Sequence, residues 1–387
     1  MKALYFTSSF PRYKGDFKGS FLEGQLKYLK RKGLKIQIIT PRSFYDEIYE
    51  LHGCPVRRFP YLPRKMERIS LATIESSIRL SPEWLFYLSS ATKEIMREKP
   101  NIIHSHWIIP FGFVSSIKKF IHPKIPLIIT SHGQDINIPW KDSRFRTPLK
   151  LSFKKADKII FVARHLKEKA LKIGLDERKA ELIHLGIDTN HFNPERKFDK
   201  SPLVSKIIEK IPPNVPIIGT LSTLIPRKNI IDLLKAIKNL NKYCDCYVII
   251  GGEGKEKHRL QEFCRKNNLE NIHFPGKIAR TDVPAFLSLL NVFVLSSEGE
   301  GLATALQEAM AMEAVPVVSN FTQCGELITQ KKNGLIYRHK DIQSLENQVN
   351  YAINNGILGV KARETIVSDF NVEKTTKRLL SLYYSLQ

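Results

Sequence analysis

The sequence predicts an α/β protein made of two tandem doubly wound, Rossmann-like domains facing across a cleft. Three observations predict it. Short, near-continuous apolar runs alternate with amphipathic segments along the whole chain, as expected of parallel strands covered by helices on both faces. The same order of elements occurs twice. At 387 residues the chain is also longer than one hydrophobic core usually supports.

In the first half the strand candidates are "KALYFT" (2–7), "KIQIIT" (35–40), "NIIHSH" (101–106), "PLIITS" (126–131), "KIIFVA" (158–163) and "AELIHL" (180–185). Helical segments lie between them. One is "FLEGQLKYLKRKG" (21–33), whose apolar residues recur at helical spacing and which ends at Gly33. The second half repeats the pattern with strands "VPIIGT" (215–220), "CYVIIG" (246–251), "NIHFPG" (271–276), "NVFVLS" (291–296) and "AVPVVS" (314–319). Helices fit 228–241, 256–268, 282–289, 303–313 and 341–355. Proline and charge concentrate between the halves, which predicts domains at 1–194 and 214–370 with a linker at 195–213. Ligands of such sheets bind beyond the carboxyl ends of the strands.

Composition is that of a globular protein, 42% hydrophobic and 26% charged. No apolar run reaches the roughly 18–20 residues that span a bilayer. The opening "MKALYFTSSFP" reads as a first strand rather than a signal peptide. The five cysteines, Cys54, Cys244, Cys246, Cys264 and Cys324, follow no disulfide or zinc spacing, which predicts free thiols in a cytoplasmic protein.

The net charge of +23 is uneven. Residues 1–200 hold 38 Lys and Arg against 20 Asp and Glu, a balance of +18, whereas residues 201–387 hold 23 against 18, a balance of +5. An anionic membrane surface, a nucleic acid and a merely solvated face would each suit such a field. No nucleic-acid motif accompanies the basic clusters, so no nucleic-acid partner is expected. In 56–88, Arg57, Arg58, Arg64, Lys65 and Arg68 alternate with Phe59, Tyr61 and Leu62, and Trp84, Leu85 and Phe86 follow. Cations beside aromatic residues suit peripheral contact on the inner face of an anionic membrane.

The chemistry concentrates in "LSSEGEGLATALQEAMAMEAVPVVS" (295–319). Glu300 follows an apolar strand, and a helix starts next. The free N–H groups near Leu302, Ala303 and Thr304 would hold an anion such as a phosphate. Glu308 lies about two turns further on. Carboxylates accept hydrogen bonds from hydroxyl groups, so an anion site flanked by two of them suits a sugar nucleotide. Two surface glutamates on a solvated helix would show the same spacing. Arg227 and Lys228 sit between a strand and a helix, where a cation could meet a diphosphate. "TSHGQDI" (130–136) puts His132 just past a strand, with Asp135 nearby. "FPRYKGDFKGSF" (10–21) and "VIIGGEGKE" (248–256) are glycine-bearing loops after strands.

With these stretches in place, nearly the whole chain resembles a retaining nucleotide-sugar glycosyltransferase of the GT-B fold, the "glycosyl transferases group 1" family with the E-x7-E motif. "FPRYKGDFKGSFLEGQLKYLKRKG" is similar to the family's opening glycine loop and first helix. "NIIHSHWIIPFG" and "TSHGQDI" resemble its next two first-domain motifs. "SSEGEGLATALQEAMAMEAVPVVS" matches its E-x7-E segment, and "NGLIYRHKDIQSLENQV" a later one. The final segment, 371–387, resembles the helix that in this fold packs back on the first domain.

The resemblance implies roles residue by residue. Glu308 would hold the ribose hydroxyls of a nucleoside-diphosphate sugar, and Glu300 the hydroxyls of the transferred sugar. Lys228 and the N–H groups at 302–304 would meet the diphosphate. Ile278 would lie by the base through its backbone, and Gly19 would approach the phosphates or the acceptor. His132 would contact the sugar near the reacting centre, and Asp135 would orient the acceptor side. No metal and no cofactor are implied. The acceptor would be a saccharide or a lipid-linked hydroxyl, as in cell-surface polysaccharide or glycolipid synthesis.

The chain departs from the family pattern at four places. Thr223 stands where the family has arginine, removing charge-assisted bonds worth about 1.5–3 kcal/mol each. Thr322-Gln323 replaces Gly-Gly before Glu326, "HLG" (184–186) replaces "PNG", and Glu313 replaces a glycine. A GT-B domain pair that binds sugar nucleotide without turnover is the rival reading, and Thr223 is the residue that favours it.

Overall fold

The computed structural model describes residues 1–43, 46–60, 82–142, 145–196, 201–301, 303–321 and 325–387. Expectations on Tyr61, Leu62, Arg64, Lys65, Arg68, Leu302, Thr322, Gln323 and Cys324, and on the side chain of Trp84, lie outside the described residues. The chain divides into two compact units. Unit 1 is Met1–Gly186 with Val372–Gln387, and unit 2 is Ile187–Asn371.

Among the described residues unit 1 carries an eight-stranded sheet. Its strands are β1 (Lys2–Phe6), β2 (Lys35–Pro41), β3 (Glu50–Leu51), β4 (Cys54–Phe59), β5 (Ile102–His106), β6 (Leu127–Ser131), β7 (Lys158–Phe161) and β8 (Ala180–Leu182). They are ordered β3-β4-β2-β1-β5-β6-β7-β8 and are parallel except for the short β3. The six strands expected from sequence are all present. β5 and β6 are buried at every position, the polar His104, Ser105, His106, Thr130 and Ser131 included.

β4 was not expected, because "CPVRRF" carries two arginines. It pairs with β2 as a half-buried strand, Ile38 opposite Val56 and Pro41 opposite Phe59. This corrects the reading of Arg58 as a membrane-facing cation. Its side chain is buried, pairs with Asp46 Oδ1 at 2.9 Å, and donates to the carbonyls of Pro11 and Ile48. Arg57 pairs with Glu98 at 2.7 Å. Both charges are satisfied within unit 1.

Unit 2 carries β9 (Ile217–Leu221), β10 (Tyr247–Gly251), β11 (Ile272–Gly276), β12 (Val292–Leu295), β13 (Val315–Ser319) and β14 (Leu335–Tyr337). All are parallel, in the order β11-β10-β9-β12-β13-β14. Five match expected strands. β14, only three residues long, was too short to show in sequence. Ile218, Val248, Ile250, Val292, Val294 and Val317 form the buried face against the helix Ile230–Leu240, with Leu233, Leu234 and Ile237 fully buried.

The stretch expected as a linker, 195–213, lies inside unit 2. There the helix Pro202–Ile208 buries Val204 and Ile207. Its start was readable: the Ser201 hydroxyl accepts the Val204 N–H, and Pro202 occupies the first turn. The chain leaves unit 1 at Gly186, where a side-chain carbon would lie 2.3 Å from Val372 Cα, so nothing larger than glycine fits. The helix Val372–Ser385 belongs to unit 1, packs on the helix Glu23–Arg31, and buries Leu379 and Tyr383.

Each sheet has one place where strand order reverses, and loops beyond the carboxyl ends of the strands open a crevice there. In unit 1 it lies between β1 and β5. In unit 2 it lies between β9 and β12. The loops after these strands, and after β6, carry Gly19, Thr223, Arg227, Lys228, Glu300 and His132.

Candidate active site

In unit 2 the loop after β9 forms the turn Pro226–Lys228, and the loop after β12 runs through Glu298–Glu300. Two bonds to backbone carbonyls fasten the loops together. The Glu298 N–H donates to the Arg227 carbonyl at 2.9 Å, and the Ser296 hydroxyl donates to the Lys228 carbonyl at 2.8 Å. Lys228 Nζ then reaches Glu300 Oε1 at 2.5 Å. Arg227 bonds the Gly299 carbonyl and stands 3.7 Å from the same carboxylate. Lys228 and Arg227, neighbours in sequence, thus form one cluster with Glu300, 72 residues beyond Lys228. An ammonium has three donors. Glu300 uses one and fixes the direction of the others.

The helix Thr304–Ala311 begins after this loop. Ala303 at its N-cap has no side-chain oxygen, and no side chain caps it. The first backbone bond into the helix is from the Gln307 N–H to the Ala303 carbonyl, 3.1 Å. The N–H groups before it have no intrahelical partner, so an anion would be attracted there. Leu302, expected to share in this, lies outside the described residues.

Glu308 is buried at 3% exposure. Its Oε1 accepts from Arg280 Nη1 at 2.6 Å, and the Arg280 guanidinium lies over the Phe192 ring at 5.1 Å. Burial raises the carboxyl pKa, and Arg280 opposes the rise. Arg280 was missed in sequence. The available signal was a cation two residues past Ile278, in a chain whose E-x7-E motif needed a counter-ion for its buried member.

The remaining unit 2 residues are less engaged. Ile278 is buried, and its side chain lies 3.2 Å from where a side-chain carbon at Gly251 would be. Thr223 is exposed on the loop after β9. The glycine turn after β10 approaches its own neighbour: a side-chain carbon at Gly252 would stand 1.8 Å from the Ser222 carbonyl oxygen. Glu313, in the family's glycine position, has φ +65°, so it keeps the left-handed backbone that glycine would favour.

In unit 1, His132 follows β6. Its Nε2 lies 3.0 Å from His106 Nδ1, and its ring packs against Phe21 at 4.7 Å and Trp107 at 4.8 Å. These apolar neighbours strip water from the imidazole and push its pKa down to about 3. Asp135 does not face an open site. Its Oδ1 accepts from Ser131 Oγ and the Gly133 N–H, both at 2.9 Å, and its Oδ2 from the Ile108 N–H at 2.8 Å. It braces the turn that carries His132 against the turn after β5. Gly19 has φ +72°, and a side-chain carbon there would lie 2.3 Å from the Ser9 carbonyl oxygen, so the loop after β1 folds on itself at that point. His106 and Trp107 were quoted in sequence but given no role. Trp107 has φ +76°, a backbone state rare for a non-glycine residue and common at functional sites.

Residues 205–368 match the family described as "Glycosyl transferases group 1", and residues 20–191 match "Glycosyltransferase Family 4". The chain belongs to the group 1 glycosyltransferases. Among curated proteins this glycosyltransferase is similar to a putative teichuronic acid biosynthesis glycosyltransferase, TuaC, of Bacillus subtilis. The two are 25% identical, with 100% of this chain and 99% of the relative covered. It is also 25% identical to an Escherichia coli UDP-Gal:alpha-D-GlcNAc-diphosphoundecaprenol alpha-1,3-galactosyltransferase, over 77% of this chain and 79% of that one. Among solved structures it resembles sucrose-phosphate synthase from Thermosynechococcus elongatus, with TM-score 0.78, 17% identity, and 100% and 99% coverage. It likewise resembles Anabaena HepE in complex with UDP-glucose, with TM-score 0.76, 19% identity and full coverage of both chains. The likeness establishes the GT-B fold of this glycosyltransferase. Among the described residues no helix is long and apolar enough to cross a membrane.

Proposed function

We propose that this glycosyltransferase moves a sugar from a nucleoside-diphosphate sugar to a hydroxyl of a saccharide or lipid-linked acceptor, with retention at the anomeric carbon and without a metal. One observation carries the reading. Two carboxylates stand on either side of one uncapped helix start, each already matched by a cation, Glu300 by Lys228 and Glu308 by Arg280. A diphosphate suits the helix start and Lys228, and ribose and sugar hydroxyls suit the two carboxylates. Electrostatic stabilisation of the leaving diphosphate then comes from Lys228, Arg227 and backbone N–H groups. That the E. coli relative's name specifies a diphosphoundecaprenol acceptor supports a lipid-linked acceptor here. The basic excess of the first half supports peripheral contact with the inner face of an anionic membrane.

Product analysis tests the reading. NMR of the glycoside formed from an α-linked donor is expected to show an α-linkage, and activity is expected to survive EDTA. A β-linked product, or activity lost in EDTA and restored by magnesium or manganese, would contradict it. Thr223 favours a second reading, a sugar-nucleotide-binding protein without turnover. Tight nucleotide binding with no glycoside formed from any donor and acceptor pair would support that instead.

A further inference from the structure

We infer that His106 is a positioning residue that fixes the tautomer of His132, so that His132 presents an N–H donor at Nδ1 and does not serve as a general base. The inference deepens the reading above, on which its kinetic arm rests. A neutral imidazole has one N–H and one lone pair, so the bond between His106 Nδ1 and His132 Nε2, 3.0 Å, has a direction. His106 Nε2 decides it. That atom is sealed from solvent and has no hydrogen-bond partner. If it carried the proton, a buried N–H would be orphaned, the rarer and more costly failure. The neighbouring rings do not rescue such a proton. His104 and Tyr5 are tilted at 31° and 34° to the His106 ring, far from the perpendicular setting in which a ring face receives an edge N–H. The proton therefore belongs on Nδ1 and is donated to His132 Nε2. His132 must then hold its own proton on Nδ1, an atom with no hydrogen-bond partner among the described residues and outside the sealed set.

The surroundings agree. His104 belongs to a buried chain whose direction is also fixed. Tyr5 donates to Gln25 Oε1 at 3.1 Å and Tyr383 donates to Tyr5 at 2.9 Å. Tyr383 must therefore accept from His104 Nδ1, 2.5 Å away, and His104 Nε2 accepts from the Thr130 hydroxyl at 2.7 Å. The groups facing the pair are His104 from β5, Tyr5 from β1, and the rings of Phe21 and Trp107. The nearby carboxylate, Asp135, is occupied by two N–H groups and a hydroxyl. Burial keeps all three imidazoles neutral.

Nitrogen-15 NMR of the histidine-labelled protein at pH 7 tests the tautomer without any activity. His132 Nδ1 is expected in the protonated range and Nε2 in the unprotonated range, and the reverse overturns the inference. The kinetic arm uses His106→Asn, whose amide can still donate, and His106→Asp, whose carboxylate can only accept. Asn is expected to keep turnover within about tenfold, and Asp to lose on the order of 100-fold in kcat, with nucleotide affinity unchanged in both. Equal losses in the two folded variants would overturn it. A wild-type protein that binds no nucleotide would instead overturn the reading of unit 2 and leave the NMR result standing.

Discussion

Arg280 Nη1 lies 2.6 Å from Glu308 Oε1, with Glu308 buried and Arg280 half-buried. One carboxylate oxygen is held by the guanidinium and the other is left for a ligand hydroxyl. Burial pushes the Glu308 pKa up while Arg280 pulls it down. Removing the cation leaves only the upward push. In Arg280→Gln the carboxyl should protonate nearer neutral pH, so nucleotide affinity should fall as pH drops from 8 to 6, while wild type changes little. Calorimetric titration across that range checks this. Leaving the buried carboxylate without its partner should also cost about 3–5 kcal/mol of stability.

Glu308→Ala and Glu300→Ala should differ. Glu308→Ala is expected to weaken binding of the bare nucleotide about 10–100-fold, the loss of one or two hydrogen bonds to a charged group. Glu300→Ala should leave nucleotide binding within a few-fold and reduce turnover, because its role is toward the transferred sugar. Binding and kcat measured on the same preparations separate the two, and matching losses in both would contradict the division of roles.

The buried His104 and His106 and the half-buried His132 of unit 1 predict the acid limb of stability. The folded pKa values of His104 and His132 are pushed down to about 3, and that of His106 is also lowered. Depressed histidines contribute stability that is complete above the unfolded value near 6.5 and is lost as pH falls toward 3, because the unfolded chain takes up the protons. Each histidine can contribute up to about 1.4 kcal/mol per pH unit over that window. Denaturant unfolding between pH 7 and 4.5 should show a fall that shrinks in His104→Gln. A pH-independent midpoint would contradict the neutral triad.

Membrane contact predicts sedimentation with vesicles that contain anionic lipid, falling as salt rises. With Arg57 paired to Glu98, replacing it by Ser should leave vesicle binding nearly unchanged. Equal binding to anionic and zwitterionic vesicles would remove the membrane from the account.

Much of the fold was legible because parallel strands buried on both faces are mostly apolar, as "VFVL" and "VPVV" are. β4 was not legible, because Arg58 is buried by a carboxylate twelve residues away in sequence and by two distant carbonyls, and composition cannot show that. The helix Pro202–Ile208 carried its start signal, but the surrounding charge concealed it. At the site, Glu300, Glu308 and Lys228 were visible as residue types beside strand ends. The counter-ion of Glu308, Arg280, was less so. The partner of Glu308 lies 28 residues upstream, and His106 joins His132 only because β5 and β6 are neighbours in register, His106 opposite Thr130.

The most direct test of the central claim is nucleotide release from a panel of UDP-, GDP- and ADP-sugars, measured side by side for wild type and Glu308→Ala. The account predicts that wild type releases one nucleotide in preference to the others and that the variant loses this at sub-saturating donor. Release by the variant equal to wild type across the panel would contradict the assignment of Glu308 and, with it, the donor site of unit 2.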